Sequence, residues 1–138
     1  MLANRVFKCI FDNAKKSFYR TFNAIYGKVG SCAPLDVVFH LINVKCVPIL
    51  MYGLDACPVN ATECKSLDFT VFKIAAKVLG TISNDILTEC RSAFGLDQMS
   101  VKISRSKSRF LKRYVTCEYI ICQICCKNAI DELNNLNN

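Results

Sequence analysis

The chain has 138 residues, with 18 Lys plus Arg against 11 Asp plus Glu for a formal charge of +7, and 52% of its residues are hydrophobic. That length bounds it to one domain whose folding buries roughly two-thirds of the unfolded surface, and the hydrophobic content excludes a disordered tail. The longest uncharged stretch of the apolar middle, Cys46 to Leu54, is nine residues with a proline inside, against about twenty needed to cross a bilayer, so no membrane partner is expected.

Met1 to Lys8 holds neither a long apolar run nor a small-residue cleavage site, which predicts no secretory signal and an intracellular chain, cytoplasmic or nuclear. From Asp12 to Val29 the residues Phe18, Phe22, Ile25, Tyr26 and Val29 recur at helical spacing with Lys16, Arg20 and Lys28 on the other side, an amphipathic helix. Gly27 and Gly30 with Ser31 end it, and Pro34 with Asp36 suits a second helix from about Leu35. Its apolar set, Val37, Val38, Leu41 and Ile42, leads to Pro48, whose missing amide kinks or ends the helix. Ile49 to Gly53 fits a buried helix turn or a short strand equally well.

Asn60 and Glu63 form a capping-box pattern opening a third helix, with the stripe Leu67, Val71, Ile74, Ala75 and Val78 and with Gly80 to close it. A short helix follows from Asp85 to Phe94, ending at Gly95. Past Ser100 there is no further Gly or Pro, so one long helix is expected towards Leu133. The predicted fold class is all-α, a small helical bundle of about four to five helices with a long C-terminal helix, in a single domain over residues 1–138.

No acid lies between Asp97 and Glu118, where Lys102, Arg105, Lys107, Arg109, Lys112 and Arg113 cluster. At about 100° per residue, Lys102, Arg105, Arg109, Lys112 and Arg113 share an arc of about 100°, opposite Ile103, Phe110, Leu111 and Tyr114. A one-sided row of cations suits a phosphate backbone, because each neutralised phosphate releases a counterion, and Ser104, Ser106 and Ser108 add hydroxyl donors. A solvated helix face, calmodulin-like capture or an anionic membrane surface fits a lone basic helix as well. A second acid-free stretch, with Lys15, Lys16, Arg20 and Lys28, makes nucleic acid the leading partner.

The ten cysteines sit mostly inside apolar helical patterns, so free buried thiols are expected. Cys122 and Cys125 have zinc-knuckle spacing and Cys117 lies five residues earlier, but a closed zinc site needs four ligands from separated pairs. Buried small hydrophobes are the plainer reading, and no metal and no cofactor are expected. His40, the single histidine, is expected in core or edge packing. With no phosphate loop, no nucleophile elbow and no clustered carboxylates, no catalytic residue can be assembled.

Ala14-Lys15-Lys16-Ser17-Phe18-Tyr19-Arg20, Asn23 to Gly30, Lys45 to Pro58 and Ser66-Leu67-Asp68-Phe69 together resemble the segment just after the reverse transcriptase palm in LINE-type, jockey-like non-LTR retrotransposons. The likeness spans roughly residues 8 to 115 and is most specific from Pro48 to Pro58. It implies a helical thumb that grips the primer and template duplex. A thumb-like three-helix core would span 12–80, followed over 85–136 by a short helix and the long basic helix. It also implies that fingers and palm, with their paired aspartates, are missing from a truncated fragment. Lys15, Lys16 and Arg20 match the family's basic segment as duplex contacts. The expected function is thus non-catalytic RNA–DNA hybrid binding through backbone contacts. The alternatives are a helical protein-interaction module and a zinc-binding cysteine module.

Overall fold

The computed structural model describes residues 9–30 and 32–138. The expectations placed on Met1 to Lys8 and on Ser31 lie outside these residues. Helix α1 (Asp12–Val29) has the predicted bounds and buries Phe18 and Phe22, while Gly27 lies within it rather than breaking it. Helix α2 (Leu35–Leu41) starts after Pro34 as expected. Its inward residues are Val38 and Phe39, whereas Val37 and His40 are exposed. His40 is therefore not a core residue: the turn that points Phe39 inward rotates its neighbour to solvent.

Pro48 does not end the helical run. A π-helical segment (Ile42–Cys46) follows α2, and α3 (Val47–Met51) continues directly with Pro48 in its first turn. The Val47 amide reaches back five residues to the Ile42 carbonyl. The wide turn accommodates the extra residue, and proline falls where a helix start needs no amide from it. The Ile49 to Gly53 stretch is thus helical as far as Met51, with Tyr52 turned out to solvent.

Helix α4 (Ala61–Leu79) carries the capping box predicted for it: Asn60 Oδ1 accepts from the Glu63 amide at 2.8 Å, and Glu63 Oε2 accepts from the Asn60 amide at 2.9 Å. Helix α5 (Asn84–Ala93) follows. Gly80 and Gly95 end these two helices at φ 65° and 68°, a left-handed conformation that favours glycine.

Among the described residues every regular element is helical, as expected, and none is a strand. The C-terminal region, however, is not one continuous rod. Helix α6 (Met99–Val115) stops at Thr116, whose hydroxyl donates to the Lys112 and Arg113 carbonyls at 3.1 Å each. A short α7 (Ile120–Ile124) then returns the chain, and α8 (Cys126–Asn137) packs along α6. Folding back buries Leu111 and Ala129, which a single extended helix would leave wet.

The main core runs from Phe18 and Phe22 of α1 through Phe39, Ile42, Cys46 and Leu50 to Leu67, Val71, Ile74, Leu87, Met99 and Ile103. It takes in only the first half of α6. Leu111 and Ala129 are buried outside that cluster, between α6 and α8. The basic half of α6 thus projects beyond the core with α8 as its main neighbour.

The expectation of free thiols is corrected at one place. Cys9 and Cys57 form a disulfide with their Cα atoms 6.6 Å apart, because the segment entering α1 runs against the loop that follows α3. Of the cysteines, Cys46 is fully buried, whereas Cys64, Cys90, Cys117, Cys122 and Cys126 are only half-buried and Cys125 is exposed.

Candidate nucleic-acid interface

The cationic residues expected to meet nucleic acid divide into two groups. Lys15 is half-buried and donates from Nζ to the Ser66 hydroxyl at 2.7 Å, so it ties α1 to α4. Lys102 is likewise half-buried and donates to Asn43 Oδ1 at 2.6 Å. Desolvation, partly countered by Asp97, holds its ammonium below the ordinary lysine value, with Arg91 and Arg105 adding to the lowering. Arg105 is exposed and pairs with Asp97 at 3.0 Å. These three have protein partners.

Lys16, Arg20, Arg109, Lys112 and Arg113 are exposed, and no acid among the described residues pairs with them. At 100° per residue Lys16 and Arg20 stand opposite the buried Phe18, which is what turns them to solvent. On α6 the burial of Ile103 and Leu111 does the same for Arg109, Lys112 and Arg113. Helices α1 and α6 do not pack against one another as neighbours; α4 contacts both.

Between α6 and α8 lies a groove of about 390 Å³. Ser104, Arg105, Ser108, Arg109 and Lys112 form one wall, and Leu136 and Asn137 the other. Lys107, a member of the basic cluster in sequence, points elsewhere and forms an ion pair with Glu132 that clamps α8 onto α6. The groove therefore has cations and hydroxyls on one wall, an apolar side chain and an amide on the other, and no carboxylate in its lining.

Sequence reasoning missed the residue that aims α6. Asp68 Oδ1 accepts from the Met99 amide at 2.8 Å and from Arg91 Nη2 at 3.1 Å. One carboxylate on α4 thus caps α6 and holds α5. Periodicity places Asp68 on the polar side of its helix, and nothing in the pattern announces a partner 31 residues away.

The cysteine-rich turn has its own geometry. The Tyr114 hydroxyl is raised above its ordinary value, first by local desolvation and then by hydrogen bonding with Cys125. Cys122 is raised by desolvation and by hydrogen bonding with Cys117. Among the described residues no group of three or more His, Cys, Asp or Glu is placed to hold a metal ion. The isoleucines of this turn face outward: Ile120, Ile121 and Ile124 are 73%, 74% and 75% exposed. Among the described residues, no helix is long and apolar enough to cross a membrane. Compared with known proteins, the chain matches no family model, no curated protein and no solved structure.

Proposed function

We propose that this chain is a non-catalytic, thumb-like helical module of a LINE-type reverse transcriptase that holds an RNA–DNA hybrid by its backbone. Its other partners would be the palm and fingers of that polymerase, in the cytoplasm or nucleus. The observation that carries the reading is the exposed face of α6, where Arg109, Lys112 and Arg113 have no acid partner among the described residues and stand beside the Ser104 and Ser108 hydroxyls. Cations without protein partners keep their charge available for phosphate, and hydroxyls bond phosphate oxygens without reading bases. Lys16 and Arg20 on α1 supply a second, separate cationic patch.

Affinity for the hybrid measured across a salt series tests the reading. Three phosphates neutralised by α6, at a slope of about −0.9 each, correspond to about a forty-fold loss between 50 and 200 mM salt. Replacing Arg109, Lys112 and Arg113 together with Ala should remove that part of the slope. An unchanged slope in the triple variant would take α6 out of the interface.

A second reading, a protein-docking module, draws on a different observation. Tyr119, Ile120, Ile121 and Ile124 form a contiguous exposed apolar turn, 73–78% exposed. In that case hybrid binding would be negligible even at low salt, and a complex surviving high salt would be lost in Ile120→Glu and Ile124→Glu.

A further inference from the structure

The outer face of α4 carries an aromatic ring between two cations. Leu67 and Val71 point into the core, and at about 100° per residue Lys65, Phe69 and Lys73 fall within an arc of about 80° on the opposite side. Phe69 is 57% exposed, and both lysines are exposed with no acid among the described residues paired to them. Each lysine stands one helical turn, about 6 Å of rise, from the ring, and the Lys73 ammonium lies 5.1 Å from the ring centroid. The two acids of α4 are engaged off this face, Glu63 with the Asn60 amide and Asp68 with Arg91 and the Met99 amide.

Two bonds fix what lies beside it. Lys15 of α1 donates to Ser66 of α4, and Lys77 of α4 donates to Asn23 Oδ1 of α1 at 3.2 Å. Residue numbers rise together across these bonds, so the two helices run side by side in the same direction and the α4 stripe neighbours the Lys16 and Arg20 patch. A lone exposed apolar residue is ordinary. A ring flanked on each side by an unpaired cation matches one particular ligand, because a base can stack on the ring while the ammonium groups meet the phosphates before and after it. A duplex keeps its bases stacked on each other, so only an unpaired strand can use such a platform.

We infer that Phe69, Lys65 and Lys73 hold an unpaired nucleic-acid strand, RNA or DNA, with a base stacked on the ring. The inference rests on the nucleic-acid reading and goes beyond it by adding a second ligand, at a surface that shares no residue with the α6 and α1 contacts proposed for the hybrid.

The test uses the full chain and two probes: an oligothymidylate of about 12 nucleotides, within the site sizes such proteins occupy, and a blunt RNA–DNA hybrid of the same length. The chain has no tryptophan, so Phe69→Trp puts a single reporter in place of the ring. Its emission should be quenched as the oligothymidylate stacks on it, with single-strand affinity within about two-fold of wild type. Phe69→Ala should bind the single strand about ten-fold more weakly and the hybrid within about two-fold of wild type. Circular dichroism checks that both variants keep their helices. Lys65→Gln combined with Lys73→Gln should make the salt dependence of single-strand binding shallower by about 1.4, at about 0.7 for each phosphate. Single-strand affinity unchanged in Phe69→Ala, an equal loss on the hybrid, an unquenched tryptophan at saturation or an unchanged salt slope would each overturn the assignment. Wild-type chain that binds the hybrid but not the single strand would overturn it and leave the hybrid reading standing, whereas single-strand binding without hybrid binding would do the reverse. Binding to neither probe would overturn both.

Discussion

Lys102 Nζ donates to Asn43 Oδ1 at 2.6 Å, and the Asn43 amide donates in turn to the Gly95 carbonyl at 3.3 Å. Through Asn43, the π-helical segment therefore holds both the entry to α6 and the turn before it. A lysine that shares the arc of the basic stripe acts as a structural tie. Lys102→Met, which keeps the apolar stem, should cost about 1 kcal/mol of stability and leave the salt dependence of hybrid binding unchanged. Thermal denaturation and a salt series measure the two effects separately. A slope reduced by about 0.9 would return Lys102 to the interface.

Asp68 joins three helices through one oxygen. Asp68→Ala leaves the Met99 amide uncapped and Arg91 without its partner at a half-buried site. The expected loss is about 2 kcal/mol, read from chemical denaturation. Asp68→Asn, which keeps an acceptor for the amide, should lose less. Equal losses in the two variants would mean that the cap contributes nothing.

Burial raises the Cys46 thiol to about 11 from its ordinary 9, so the folded chain keeps this proton where the unfolded chain releases it. The stabilisation is fully present below pH 9 and is lost as pH rises through 11. The swing is about 2 to 3 kcal/mol. Cys46→Ala should be less stable at neutral pH, having lost a fully buried side chain, but should show a flatter decline between pH 9 and 11. A decline as steep as in the wild type would remove Cys46 as its source.

The Cys9–Cys57 bond closes a loop across a sequence separation of 48. Cross-linking a chain at that separation restricts the unfolded state, and reduction should lower stability by about 2 to 4 kcal/mol. Non-reducing peptide mapping should recover the two cysteines in one linked fragment. Finding both as free thiols in air-oxidised protein would contradict the pairing.

The helical class, the bounds of α1, the capping box at Asn60 and Glu63 and the apolar stripe of α4 were all legible in the residue order. Each depends on contacts within a few positions along the chain, where spacing and side-chain chemistry suffice. The cationic character of α6 was legible for the same reason. Tertiary packing decided which cations of α1 and α6 face solvent with no acid partner among the described residues: Lys15 and Lys102 found partners 51 and 59 residues away, and Arg105 found one in a preceding loop rather than at helical spacing. It also decided that the chain turns at Thr116. No glycine or proline marks that stop, and α8 can bury Leu111 and Ala129 against α6 only by folding back. Local periodicity records which side of a helix is apolar, but it carries no information about the distant element that covers that side, and the groove between α6 and α8 exists only once that element is in place.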